Sequence, residues 1–385
     1  MTEKIIFTSV DTARLLFAVA IVAIHTHISA ALPGEAGFWL QQGIFRLAVP
    51  FFFITSGFFI MDRIEAGRDP AGVLTGYIKR LIVPFIICDA ANALMNVIFI
   101  CMAQDMPLRY AAATVVKKGI WYPYGAMWYI GALIIGALML IPFVSKKGSA
   151  GSQARISFVA PLIIGGALFV WALICNNYFF IAEGTAAEGA VRAYMDTFVS
   201  ARNGVFVGFF MLAVGLASRS ALGRKIERNK GNAALIIALA ACFALYLTEI
   251  AVLRDRAYLD DRSLYIIQIV LAPLMVIALV RLGKSVDTSA AAKDGAAGLA
   301  AARRAVYLRK MSVWIYFTHR FVLITLQIIM AAAGISAERI SSDGAMVTLQ
   351  FAVVTAVCVS GFIVFRLVKE KRPGAPDILE DRSLF

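Results

Sequence analysis

Apolar stretches of about 20 residues recur along this chain, and they restrict its fold more than any short motif does. Within hydrocarbon no water is available to backbone N–H and C=O groups, so each stretch must satisfy its own as a helix or close into a barrel. The runs are continuous rather than alternating, which selects the helix. Candidate spans are predicted at 11–31, 38–61, 80–103, 125–144, 157–180, 203–218, 233–253, 263–283, 312–333 and 345–367. With 61% hydrophobic residues against 16% charged, and a mean hydropathy of +0.79, a soluble chain of 385 residues is excluded. The expected fold class is all-α: a polytopic membrane helix bundle of about ten transmembrane helices over 1–368, followed by a polar cytoplasmic tail over 369–385.

An even number of spans places both termini on one side of the bilayer, and basic residues choose the side. Segments on the terminal side carry 26 of the 37 Lys and Arg residues, the alternate loops carry 9, and Arg46 and Arg320 fall inside spans. Both ends are predicted cytoplasmic. The formal net charge of +13 then belongs to loops at an anionic lipid surface, and nucleic acid is not expected as a partner. A cleavable signal peptide is another reading of the first span, since Ala30-Ala31 precedes Pro33, but Arg14 and His25 within the span argue against it. The five cysteines are scattered through apolar segments without a CxxC pair, and the three histidines lack metal-ligand spacing. No metal is expected. No phosphate loop, dinucleotide fingerprint or nucleophile elbow is present. Residues 284–310, Ala/Gly-rich and basic, and the tail read as flexible segments or surface helix rather than separate domains.

Chemistry in such a chain must come from polar residues at membrane depth, which are costly there unless they pair or line a cavity. In the first span His25 follows Arg14 by eleven residues, so the two share one helix face about 16 Å apart. They are too distant to touch, yet a ligand anionic at one end and reactive at the other spans the gap. His27 is turned about 200° from His25 and reads first as a packing histidine. Counting inward from the span ends places His25, Arg46, Asp89 and His319 about 10–14 Å deep, with Glu249 nearer the outer surface. Arg46 with Glu249 or Asp89 can equally form interhelical ion pairs that fix packing. Trp39, Trp121, Tyr122, Tyr178 and Tyr258, near span ends, read first as interface anchors.

Four segments, taken in order, resemble the membrane acyltransferase-3 family. They are RLLFAVAIVAIH, with Arg14 and His25; RLAVPFFFITSGFFI at 46–60, with Ser56 and Gly57; MWYIGALIIG at 127–136, with Trp128; and SVWIYFTHRFVLI at 312–324, with Tyr316 and His319. The resemblance runs through nearly the whole chain, and within the family the wording is similar to the membrane domain of vancomycin-resistance serine racemases. The expectation is that membrane domain without a soluble racemase domain or an appended esterase-like domain. The chain departs from the family at the start of the third span. Many members carry Arg-x-x-Arg there, whereas Lys79 and Arg80 are adjacent here.

The resemblance implies an integral-membrane O-acyltransferase of a bacterial cytoplasmic (inner) membrane. It would move an acyl group, acetyl by family preference, from cytoplasmic acyl-CoA to a hydroxyl of an extracytoplasmic or lipid-linked glycan or other cell-envelope acceptor. Arg14, Lys79 and Arg80 would meet the donor's phosphates. His25 would act as general base or be acylated itself. Arg46, Ser56, Asp89 and Trp128 would line the substrate pocket together with Glu249, Tyr316 and His319. The bilayer, acyl-CoA and the acceptor are the expected partners, with homo-oligomerisation open. A transporter of a small polar amino acid such as serine is the alternative, using Arg46, Asp89 and Glu249 and needing no CoA. Single-cysteine labelling tests the topology: loops 145–156 and 218–232 should react only from the cytoplasm and 181–202 only from outside. External labelling of 218–232 would reverse the arrangement.

Overall fold

The structure, a computed structural model, describes residues 5–103, 106–144, 155–222, 232–283, 285–287 and 296–370. The tail from 371 and the larger part of loops 145–156 and 218–232 lie outside the described residues. The helices are α1 (Thr8–Thr26), α2 (Ala36–Gly43), α3 (Ala48–Glu65), α4 (Pro70–Ala103), α5 (Leu108–Trp121), α6 (Met127–Leu140) and α7 (Val159–Ile174). They continue as α8 (Glu188–Phe198), α9 (Phe209–Leu222), α10 (Asn232–Leu253), α11 (Gln268–Arg281), α12 (Ala296–Ala332), α13 (Ala337–Ser342) and α14 (Gly344–Glu370). Among the described residues, 7 helical segments are long and apolar enough to cross a membrane, namely Thr8–Thr26, Ala36–Glu65, Pro70–Met102, Gly204–Ala221, Asn232–Leu253, Ala300–Ala332 and Gly344–Lys369. Shorter apolar helices, Met127–Phe143, Val159–Ile174 and Gln268–Arg281, fall on the remaining predicted spans. The chain is an all-α, polytopic membrane helix bundle.

The described residues divide into two compact units. One takes the chain up to Ala48, Ala91–Val115 and everything from Ala278 onward, and the other takes Val49–Ala90 and Val116–Ile277.

In the first unit α1 lies along α12. A two-stranded antiparallel ribbon, Ile5–Phe7 with Ser285–Asp287, sits ahead of both helices, and the Ser9 hydroxyl donates to the Leu279 carbonyl at 2.6 Å. Asp11 meets Arg309 near the start of α1, and His25 meets His319 near its end, so the two helices run parallel. Helix α14 covers α12 through Trp314, which stacks on Phe365 and approaches Phe362.

Four predicted boundaries change, each for a local reason. The first span was expected to reach Ala31, but α1 ends at Thr26 because His27 adopts φ 56°, ψ 30° and its N–H closes on the Ala23 and Ile24 carbonyls. His25 is therefore in the last turn of α1 rather than deep within a span, and His27 is exposed and off the helix rather than packed on its far face. The second span is interrupted by a 3-10 turn, Phe45–Leu47, that carries Arg46. Pro50 accounts for this, since it has no N–H to donate and its ring crowds the carbonyl four residues back, that of Arg46. Helix α4 starts at Pro70, ahead of the predicted residue 80, so Lys79 and Arg80 stand on its surface rather than in a loop. Helix α12 starts at Ala296 and absorbs much of the stretch read as a flexible segment or surface helix.

The second unit is held by backbone contacts at glycine. Helices α3 and α9 cross where Gly57 faces Gly215: a Cβ on Gly215 would lie 2.6 Å from the Ile54 carbonyl oxygen and 2.8 Å from Gly57 Cα. Only a residue without a side chain permits so close an approach, the usual device for joining apolar helices where lipid removes any hydrophobic drive. A π-helical turn, Gly204–Gly208, opens α9 and is capped by Asn203, whose side-chain oxygen accepts from the Val205 and Phe206 N–H groups at 3.0 and 3.2 Å. That turn lies against α6, where a Cβ on Gly136 would come 2.6 Å from the Gly208 carbonyl carbon. Gly215→Val should therefore force α3 from α9 and cost about 1–3 kcal/mol or more, read as a lowered Tm in detergent. Gly189→Ala, with nothing within 4 Å of the added Cβ, is the control and should be neutral. Equal Tm values for the two variants would contradict the crossing.

Candidate active site

At the N-terminal end of α1, Arg14 Nη1 contacts Asp11 Oδ1 at 3.1 Å, and Arg309 Nε reaches the same oxygen at 3.4 Å. Arg14 is 2% exposed and Asp11 3%. The buried Asp11 carboxylate is shared by two guanidiniums, and each partner offsets part of the desolvation of the others. The i,i+3 spacing of Asp11 and Arg14 was visible in the sequence. The arrival of Arg309 from a helix almost three hundred residues later was not.

At the other end of the same helix pair, the ring centroids of His25 and His319 are 5.3 Å apart, with their planes inclined by 32°. His319 is fully buried, and the Tyr316 ring lies 6.0 Å from it on the same helix. Arg46, on its 3-10 turn, and Arg320, next in the chain to His319, both bear electrostatically on His25 and on His27. The first unit thus brings together four residues singled out from sequence: His25, Arg46, Tyr316 and His319. Arg320 was noted only as a charge inside a span, and its place beside His319 was the signal for it.

The remaining candidates belong to the second unit. Ser56, 1% exposed, precedes the Gly57 crossing, and its hydroxyl has no hydrogen-bond partner among the described residues. Asp89 accepts the Tyr124 N–H at 2.7 Å. Glu249 accepts from the Tyr178 hydroxyl and from the N–H groups of Ile266 and Ile267, the latter at 2.6 and 2.9 Å. The carboxylate there caps the N-terminal end of α11, where the helix dipole favours negative charge.

Trp128 stacks near-parallel with Tyr122, and the Arg202 guanidinium sits 5.3 Å from the Trp128 ring centre. Arg202 also binds Asp260 at 3.0 Å and Asp261 at 2.8 Å, with Ser200 donating to Asp260 at 2.6 Å. Burial works against the charge on Arg202, but Tyr122 and the two aspartates outweigh it and raise its pKa above the ordinary arginine value. Nothing in the sequence marked this network beyond the adjacency of Asp260 and Asp261.

A cavity of about 190 Å³ is lined by Arg63, Arg68, Asp69, Gly72, Val73 and Arg80. Three guanidiniums face one carboxylate, a composition suited to phosphate oxygens. Arg80 is in this wall, Lys79 is exposed beside it, and Arg63 and Arg68 are additions the sequence reading did not make. Among the described residues no group of three or more His, Cys, Asp or Glu could hold a metal ion.

Comparison with known proteins bears on what this arrangement does. The serine/alanine racemase of Enterococcus gallinarum is 24% identical over 212 residues, 54% of this chain and 29% of that protein. An amino-acid racemase of Enterococcus faecalis is 26% identical over 215 residues, 55% of this chain and 28% of that protein. The chain matches less than a third of the length of these relatives, and no solved structure is similar to it. The acyltransferase domain matches residues 7–367, a range that takes in the His25 and His319 imidazoles, the Asp11, Arg14 and Arg309 cluster and the basic cavity, and this chain belongs to that acyltransferase family.

Proposed function

We propose that this membrane acyltransferase takes its acyl group from acyl-CoA, acetyl-CoA first among them, and passes it to a hydroxyl of an extracytoplasmic or lipid-linked glycan or other cell-envelope acceptor. Its setting is a bacterial cytoplasmic membrane, with ten spans and both termini inside. The parallel course of α1 and α12 supports that parity, since the predicted first and ninth spans must cross in the same direction.

The observation that carries the reading is His25 held at the end of α1 with a second imidazole against it and two arginines bearing on it. As the acceptor oxygen forms its bond to the thioester carbonyl carbon, His25 takes the hydroxyl proton. The carbonyl becomes an oxyanion, which Arg46 and Arg320 stabilise by charge. Collapse of that intermediate breaks the C–S bond, and the proton passes from His25 to the departing CoA sulfur. Acylation of His25 itself, followed by transfer, uses the same groups. The donor's phosphates are assigned to Arg80 with Arg63 and Arg68, and Lys79 adds charge nearby. Arg14, with Arg309, supplies further positive charge at the start of α1. Transport of an amino acid would need Asp89 and Glu249 to meet the substrate, and their engagement with backbone N–H groups favours acyl transfer instead.

His25→Ala should abolish release of CoA from acetyl-CoA while leaving the Kd for acetyl-CoA within about twofold, because the substitution removes the base and none of the arginines assigned to the phosphates. His27→Ala should be mild, since its ring is exposed and off the helix. Wild-type turnover by the His25 variant would end the proposal, and CoA-independent serine uptake surviving in it would move the assignment to transport.

Arg63→Ala and Arg80→Ala should each raise the Kd for acetyl-CoA about tenfold through loss of a charge-assisted contact. Arg14→Ala should raise it too, but with a lowered Tm, because Asp11 loses one of its partners. Unchanged Kd values in the Arg63 and Arg80 variants would remove the cavity from the donor site.

A further inference from the structure

We propose that His319 is the positioning residue for His25: an imidazole locked in one tautomer, whose Nε2 lone pair takes the N–H of His25 and thereby fixes which His25 nitrogen faces the reacting hydroxyl. The proposal rests on the acyl-transfer reading for its purpose, though not for its geometry.

His319 Nδ1 lies 2.7 Å from the Tyr316 carbonyl oxygen and 3.0 Å from that of Ile315. A carbonyl oxygen has no proton to give, so Nδ1 is the donor, and the neutral ring carries its lone pair on Nε2. That atom is buried and has no hydrogen-bond partner among the described residues. Buried polar atoms left unsatisfied are uncommon enough to require a reason. The ring beside it is His25, with centroids 5.3 Å apart, and histidine χ2 is a soft torsion. A small turn of His25 brings its N–H onto Nε2.

A base that must receive a proton works best when its other nitrogen is already committed to an acceptor, which fixes both its tautomer and its aim. A carboxylate commonly fills that role, but the groups that bear electrostatically on His25 are Arg320, His319, Arg46 and His27, all basic. Nε2 of His319 is the acceptor on offer. When His25 takes the hydroxyl proton it becomes an imidazolium with two N–H groups, one from the acceptor and one still held by His319, so the pair needs no second proton transfer. The backbone carbonyls that hold His319 belong to its own helix, so the tautomer is set by α12 before any substrate arrives. Arg320 is the competing donor to Nε2, and the measurement must separate the two.

The chain has only 3 histidines, so protein labelled with [15N]histidine and placed in lipid nanodiscs gives three imidazoles whose tautomers can be read by nitrogen NMR. The expected result is His319 with its proton on Nδ1 and His25 in a single tautomer. His25 should become a mixture in His319→Leu, stay single in His319→Gln, whose amide oxygen can accept, and stay single in Arg320→Gln. CoA release from acetyl-CoA should fall about 100-fold in His319→Leu with unchanged acetyl-CoA affinity, and no more than about tenfold in His319→Gln. A wild-type His319 carrying its proton on Nε2 would overturn the proposal even if no variant folds. A His25 tautomer indifferent to His319→Leu, or responsive only to Arg320→Gln, would overturn it as well. Coupled tautomers in a wild-type protein that releases no CoA would instead strike the acyl-transfer reading and leave the imidazole pair standing.

Discussion

The parallel packing of α1 against α12 is the contact on which the candidate site depends. Two helices that run the same way cannot be joined by a short turn, so the chain between them must return across the bundle before they can meet. The contact is fastened at both ends by polar groups rather than by apolar area alone: Asp11 between Arg14 and Arg309 at one end, His25 against His319 at the other. In a lipid-facing bundle such polar fastenings fix rotation and register, since apolar side chains pack about as well against lipid as against one another. Turning α1 by one residue would separate both pairs at once.

The same logic governs the second unit, where the fastenings are carboxylates on backbone N–H groups and glycines at crossings. Glu249 closes the open end of α11, Asp89 holds the Tyr124 amide, and Gly57 with Gly215 brings two backbones into contact. These devices satisfy groups that lipid cannot hydrate. They also explain why carboxylates at membrane depth need not face a ligand. The cavity lined by Arg63, Arg68 and Arg80 holds three guanidiniums beside the single acid Asp69.

The class of fold was legible because it follows from composition and period. Every predicted span contains apolar helix, since a continuous apolar run has no other way to satisfy its backbone in lipid. Boundaries were less legible, because they turn on single residues. His27 in the left-handed region ends α1 five residues before the apolar pattern does, and Pro50 breaks the second span at Arg46 within an otherwise apolar run. Apolar periodicity records what a residue prefers to touch and says little about where a backbone turns.

For the candidate site, the sequence by itself determined the chemistry on offer: an Arg and a His on one helix, a Tyr and a second His on another, and Lys79 with Arg80 near the predicted start of the third span. It determined that these groups had to pair or line a cavity, because their cost in hydrocarbon is fixed by residue type. Which pairs form was decided by tertiary structure alone. Arg14, expected to meet the donor, shares Asp11 with Arg309; Glu249, expected in the pocket, caps a helix; and His319 has one ring nitrogen bound and the other without a hydrogen-bond partner among the described residues. Hydrogen bonds and ion pairs act over a few ångströms, and the separation of Arg309 from Asp11 or of His319 from His25 in space bears no relation to their separation along the chain until the helices are packed.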